Sequence, residues 1–468
     1  PKFAPPNLGV YTHTLMFYDL FRPAPIYGNE SFRFLYDFMV SEYKTRRLWY
    51  FPEAAWWLTF DIGVPLYLPI TIEARDRDLQ GISFMLDGKL VGHHVFGTGH
   101  EWGYWQNEYC SLRLSADLSY RYKDCVRDIV SPMGSAAAEV QAVVLRAVEL
   151  QERDIIYGDI LAYLVGTDPE TEVAAQIGIV FHPLPPSPQQ IARWELPQLD
   201  DFQRRIAPQL QRMEDDHEAL VARLTAVESE VPASARPFFD EIRDGLAINA
   251  KRARHGRLVY GAMVSARLAR VRFDPALLNT AHALLEGAKA ATAAAKVVIA
   301  RREAGYRYHP LERSTAGGPA GNEDVNWTIY KYRYLNRTHH AYYYTRIDEL
   351  AETSIAGSNE PLAVDDAIIT PDTPLAVSVA PGLESPVVSF GDGASESGQR
   401  TTHRYAAAGL YELKLRARAA GIPLEAVANV AVVDRKAKTG FSAAIESPPG
   451  AGIIQGILPG IVLGRIDA

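Results

Sequence analysis

The sequence predicts a multidomain chain: an α/β section of βα units, then an all-α section, then a C-terminal β section. Three observations carry this. Residues 1–131 alternate short aromatic or β-branched runs with stretches of helical period. From Gly134 to Leu350 the chain turns alanine-rich, with apolar residues three and four apart. Beyond Pro374, Tyr411, Leu413 and Leu415 alternate with polar residues, as in a half-buried strand. At 468 residues there is room for two to four domains and a large core.

In order, Leu8 to Asp19 reads as a strand, and Glu30 to Tyr43 as a helix with Phe34, Leu35, Phe38 and Met39 on one face. Arg47 to Phe51 is a second strand, ending at Pro52-Glu53. Pro65 to Leu79 is a second helix, closing on Glu-Ala-Arg-Asp-Arg-Asp ahead of Gly81. Lys89 to Phe96 is a third strand, and the third helix begins near Trp105. Three consecutive βα units imply a parallel sheet. In such sheets reactive side chains gather at the carboxyl ends of the strands. Those ends offer Tyr11, His13 and Asp19, then Glu53, Trp56 and Trp57, then His100, Glu101 and Trp102.

The densest stretch is Gly92 to Glu108. It holds His93, His94, His100, Glu101, Glu108, Trp102 and Trp105, broken by Gly97, Gly99 and Gly103, which tolerate sharp turns. Two glutamates at adjacent strand ends among tryptophans resemble the arrangement in carbohydrate-cleaving barrels. That resemblance implies paired-carboxylate chemistry, one carboxyl protonating the leaving oxygen while the other attacks or activates water. Glu101 is then the acid/base, Glu53 its carboxylate partner, and His100 an orienting group. Trp49, Trp56, Trp57, Trp102, Tyr104, Trp105, His13 and His94 would line the sugar. The competing reading of Glu53 is a buried ion pair with Arg46 or Arg47, and that of Trp56 and Trp57 is core packing for one of the two. Three units cannot close an eight-stranded barrel. The expectation is therefore an upstream segment or a partner chain that completes it, or an open sheet covered by the next domain.

Residues 132–351 form the expected helical domain. Ala136 to Leu164 shows a continuous helical pattern. Phe202, Ile206, Leu210, Met213, His217, Leu220, Leu224 and Val227 trace the seam of a long amphipathic helix, with His217 packed in it. Further helices cover Phe238 to His255, Pro275 to Arg301, and the aromatic-rich Asn326 to Tyr344, which follows a Gly-rich loop, Thr315 to Asn322. Residues 352–368 read as a linker by composition.

Val387-Val388-Ser389-Phe390-Gly391-Asp392-Gly393, Thr402-His403-Arg404-Tyr405 and Gly409 to Leu415 resemble the PKD domain family. The resemblance implies an Ig-like β-sandwich over 369–435, of a kind common in secreted bacterial enzymes and surface proteins, serving as spacer or adhesion module. The alternation of Tyr411, Leu413 and Leu415, and the turn at Gly391-Asp392-Gly393, support strands on their own. The Trp-Asp pair that often precedes the motif is missing here. Residues 436–468 form a Gly-, Pro- and Ile-rich tail.

The net charge of -8 and scattered basic residues argue against a general nucleic-acid binder. No run is long and apolar enough to span a bilayer; Ile453 to Leu463 is short and broken by Gly456, Pro459 and Gly460. Cys110 and Cys125 could form a disulfide or remain two buried thiols. No cofactor or metal is expected. His100-Glu101 lacks the second histidine of the zinc-protease helix, Tyr104 standing in its place, and His93 and His94 on a strand face opposite ways. The phosphate-loop and Gly-x-Ser-x-Gly patterns are absent. The expected function is a secreted glycoside hydrolase acting on a carbohydrate. The alternatives are a non-enzymatic surface or assembly protein and a metal-dependent hydrolase.

Overall fold

The computed structural model describes residues 5, 7–54, 66–86, 90–96, 105–165, 183–304, 342–358, 360–419 and 421–433. The described residues fall into two compact units, one within Pro1–Arg267 and Leu277–Ile355, the other within Leu268–Ala276 and Ala356–Ala468.

The first unit opens with a parallel sheet in the order β1 (Val10–Thr14), β2 (Leu48–Pro52), β3 (Leu90–His93). Register runs from Val10↔Leu48 to Thr14↔Pro52, and from Leu48↔Leu90, through a shift, to Tyr50↔His93. The crossovers hold α1 (Arg33–Glu42) and α2 (Ile70–Leu86), and α3 (Trp105–Ala116) follows β3. Sequential neighbours joined by helices are what the alternating pattern predicts. Side chains alternate across the sheet. Thr12, Thr14, Leu48 and Tyr50 are buried on one face, while Tyr11, His13, Trp49 and Phe51 occupy the other.

Arg75 and Asp78 on α2 organise the buried face. Arg75 is fully buried and donates to Thr14 Oγ1 at 2.6 Å, Tyr50 Oη at 3.1 Å and the Tyr18 carbonyl. Asp78 accepts the Tyr50 hydroxyl and the Leu20 amide. Burial raises the Asp78 carboxyl to about 7, Arg75 opposing the rise. Asp19, one of the strand-end residues read from the sequence, is spent on structure. It caps Phe21 and Arg22 and pairs with the Arg22 guanidinium.

Helices follow: α4 (Tyr122–Val130), α5 (Ala137–Gln151), α6 (Leu161–Val165), α7 (Pro188–Ile191), α8 (Leu196–Asp201), α9 (Ala207–Val227), α10 (Arg236–Arg272), α11 (Ala276–Ala304) and α12 (Tyr342–Ser358). Cys110 on α3 and Cys125 on α4 are disulfide-bonded. Ile72 and Cys110 share one apolar core with Val140, Val144, Leu220, Phe239 and Ile299. The expected boundary at 131/132 therefore lies inside one packed unit. The continuous helix expected over Ala136 to Leu164 is interrupted. A π turn, Glu152–Ile156, ends it, and the chain breaks at Gly158, where a Cβ would collide with the Asp154 carbonyl. His217 is packed in the α9 seam, its Nδ1 against the Met213 carbonyl at 2.9 Å. The helix expected to end at His255 runs on through Gly256 and Gly261 to Arg272, and a Cβ on Gly256 would crowd the Tyr163 carbonyl.

In the second unit, β4 (Leu362–Val364), β6 (Pro374–Val379) and β9 (Arg400–Arg404) form one sheet. β5 (Ile368–Ile369), β11 (Ile422–Val432), β10 (Gly409–Ala419), β7 (Glu384–Ser389) and β8 (Ser395–Ser397) form the other. Leu375, Val377 and Val379 from the first sheet meet Val388, Leu413, Leu415 and Val430 from the second in a single core, which makes a sandwich. Gly391, at φ 82°, brings its backbone against Glu412, so a side chain there would collide. The stretch read as a linker is ordered structure: α12 continues to Ser358, and β4 and β5 pair into the sheets.

Outside the described residues lie the Gly97 to Tyr104 turn, the Thr315 to Asn322 loop, most of the aromatic-rich helix expected over Asn326 to Tyr344, and the C-terminal tail.

Candidate functional site

Glu53 sits one residue past β2 and bridges both neighbours through its backbone. Its amide donates to the Thr14 carbonyl at 3.0 Å, and it pairs in parallel with Phe96 beyond β3. The next residue is also held, since Ala54 donates to Phe96 and its carbonyl accepts from Asn107 of α3 at 3.2 Å. By the strand period, Glu53 shares a face with Trp49 and Phe51. The Glu53 side chain is 10 % exposed. Oε2 accepts the backbone N–H of Met16 at 2.6 Å, and Oε1 lies 3.4 Å from His13 Nε2, without hydrogen-bond geometry.

Met16 adopts φ 54°, a region that a side chain disfavours. The surrounding contacts hold it there: Arg75 binds the Tyr18 carbonyl and reaches the Met16 carbonyl at 3.5 Å. Strain fixed in this way at a strand end is a recurring mark of functional sites. Arg46 pairs with Glu42, and among the described residues Glu53 forms an ion pair with neither Arg46 nor Arg47, the competing reading of its role. The partner of Glu53 is a backbone amide 37 residues away.

The same face carries an aromatic sheet surface. Tyr11 stacks on Trp49 at 5.2 Å and meets His94 edge-on at 4.9 Å. His13 lies 4.8 Å from Phe51 and 6.2 Å from Phe96. Trp49 lies flat because Gly9 and Gly92 flank it; a Cβ on Gly9 would overlap the indole. Four residues of strand put Trp49 about 13 Å from Glu53. His93 turns to the opposite face and stacks on Tyr50 at 5.4 Å. Among the described residues both its ring nitrogens lack a hydrogen-bond partner, and burial lowers its pKa from 6.5 to about 4.

Of the residues singled out in the sequence, the structure brings together Glu53, His13, Trp49 and His94 on one face. Trp105 is elsewhere: its indole N–H donates to Glu241 on α10 at 2.8 Å, and its ring packs edge-on to Phe238. Glu101, His100, Trp56, Trp57, Trp102 and Tyr104 lie outside the described residues. Among the described residues, no group of three His, Cys, Asp or Glu side chains could hold a metal ion. No helix among them is long and apolar enough to cross a membrane. The Met16 amide had no sequence signal. Arg75 and Asp78 had a faint one, two opposite charges three residues apart in a helix that must bury a face.

No family model matches the chain, and no curated protein matches it. Among solved structures it is similar to a GH138 enzyme targeting pectin rhamnogalacturonan II, at 9 % identity and a TM-score of 0.36. The match covers 85 % of this chain and 63 % of that one, so the chain spans less than two thirds of that enzyme's length. A likeness of this degree decides neither fold nor chemistry.

Proposed function

We propose that the protein is a glycoside hydrolase acting on a carbohydrate, with Glu53 as one of its two reacting carboxylates. The observation that carries this is Glu53 at the carboxyl end of β2, gripped by Met16 N–H, beside His13 and on the aromatic face. One oxygen is fixed by the amide, so the other is aimed, as an attacking or water-activating carboxylate requires. Glu101 is assigned as the acid that protonates the leaving oxygen, and His100 as its orienting neighbour. Trp49, with Tyr11 stacked on it, offers an apolar floor to a sugar chain some way along the sheet. The three strands are read as consecutive staves of a barrel wall whose inner face is the aromatic one. The remaining staves come from a partner chain or from more of the same chain.

The disulfide supports an oxidising compartment, hence a secreted or surface-bound protein. The sandwich, with its PKD-like Phe-Gly-Asp-Gly turn, is read as a spacer or adhesion module. A second reading is favoured by the burial of Glu53: a structural carboxylate that pins the loop after β1 in a non-enzymatic surface protein. Glu53→Gln separates the two, because the amide keeps an oxygen for Met16 N–H while losing the nucleophile. Loss of polysaccharide or aryl-glycoside cleavage with unchanged thermal stability supports the enzyme; undiminished cleavage removes Glu53 from the mechanism.

A further inference from the structure

Away from the sheet, Trp194, Pro197, Gln198, Asp201, Phe202 and Arg205, with Tyr163 and Ile206, line a hollow of about 440 Å³ that opens to solvent. This is the size range of small-ligand sites. Its inner wall is apolar and packed. Phe202 and Ile206 are buried, and Tyr163 packs edge-on to Tyr260 at 4.8 Å, its carbonyl held by Arg252 at 2.8 Å. Its outer edge is polar and half exposed. Asp201 accepts a two-pronged pair of bonds from Arg205 at 3.0 and 2.9 Å, and Asp159 pairs with the same guanidinium. The Asp159 amide is in turn held by Gln209 at 3.2 Å. Trp194 stands at the side, its carbonyl fixed by Arg267 at 2.8 Å.

A second observation points the same way. Phe202, Arg205 and Ile206 all lie on a π turn, Phe202–Ile206, inserted between α8 and α9. Such turns cost hydrogen-bond geometry and recur at functional sites, where they redirect side chains. Here the turn sets an aromatic ring and a guanidinium on one cavity.

We propose that this cavity binds a neutral sugar residue, as an accessory saccharide site apart from the one that contains Glu53. The half-buried indole of Trp194 gives apolar surface to the C–H face of a pyranose, backed by the buried Phe202 and Tyr163. A carboxylate and a guanidinium in a fixed fork present an acceptor and donors to adjacent hydroxyls. The sign of the charge selects among sugars. At the polar edge one guanidinium, Arg205, faces two carboxylates, Asp201 and Asp159, so this cluster is net negative and disfavours uronates and sulfated sugars.

The inference stands independently of the role given to Glu53, and the test keeps them separate. Titration calorimetry of the full chain is run with cellohexaose, mannohexaose, maltohexaose and, as the anionic control, trigalacturonate. At least one neutral oligosaccharide is expected to bind the Glu53→Gln variant as tightly as the wild type. Trp194→Ala weakens that binding about tenfold or more, and Asp201→Asn, which keeps the side-chain shape, weakens it as well. Circular dichroism confirms that both variants are folded; were Trp194→Ala unfolded, Asp201→Asn alone would decide. Absence of binding by all three neutral sugars, binding unchanged in the folded variants, or a preference for trigalacturonate overturns the proposal.

Discussion

Glu53 Oε2 and the Met16 backbone N–H meet at 2.6 Å, joining the end of β2 to the loop that leaves β1. The amide can reach the carboxylate because Met16 is held at a positive φ, and Met16 is held because α2 grips the loop from below. The orientation of the Glu53 carboxylate thus traces to a buried arginine on a neighbouring helix.

Arg75 is the first place to test this chain of support. Arg75→Met removes the charge opposite Asp78, 3.9 Å away, and leaves that buried carboxyl with hydrogen bonds from Tyr50 and Leu20 but no cationic partner. The expected loss is about 3–5 kcal/mol, read from urea unfolding. Adding Asp78→Asn should recover part of it, since the two effects share one network. Strict additivity of the two substitutions would mean that the pair is not coupled.

The Cys110–Cys125 bridge closes a loop with a sequence separation of 15 between two buried helical positions. Replacing both cysteines with alanine should lower stability by about 3 kcal/mol. Cleavage activity at 25 °C should be unchanged, because α3 and α4 do not contribute to Glu53's carboxylate contacts. A melting temperature equal to that of the wild type would contradict the assignment of the bridge as a structural staple.

His93 makes a pH prediction with a definite sign. Its folded-state pKa is lowered from 6.5 to about 4 by burial first, with Arg75 and His94 acting in the same direction. Between those values the unfolded chain takes up a proton that the folded chain declines. The stabilisation is therefore present above about pH 6.5 and is lost as pH falls toward 4. On going from pH 7.5 to 4.5 the wild type should lose about 2 to 3 kcal/mol more than His93→Gln. Equal losses in urea unfolding at the two pH values would refute the assignment.

The βα alternation was legible because each strand is a run of aromatic or β-branched residues, and each helix an apolar stripe with the period of a turn. The opposite facing of His93 and His94 followed from strand geometry alone. Other features had no local signature. A π turn such as Phe202–Ile206 is one extra residue in an otherwise ordinary helical pattern. The ordered stretch after Glu352 was hidden by its turn-forming residues, since composition does not tell a loop from the short edge strands β4 and β5. For Glu53, charge proximity in the sequence suggested Arg46 or Arg47. Backbone amides carry no residue code, so the Met16 contact could not be anticipated.

The most direct test of the account is a leaving-group series of aryl glycosides, from nitrophenyl to activated dinitrophenyl, hydrolysed by Glu53→Gln and Glu101→Gln. Removing the acid should cost most with poor leaving groups and little with activated ones, which need no proton. Loss of the attacking or water-activating carboxylate should depress kcat across the whole series by about a thousandfold or more. That pattern, with Glu53→Gln uniformly inactive and Glu101→Gln rescued by dinitrophenyl substrates, is the predicted result. Wild-type turnover by Glu53→Gln on every substrate would contradict it.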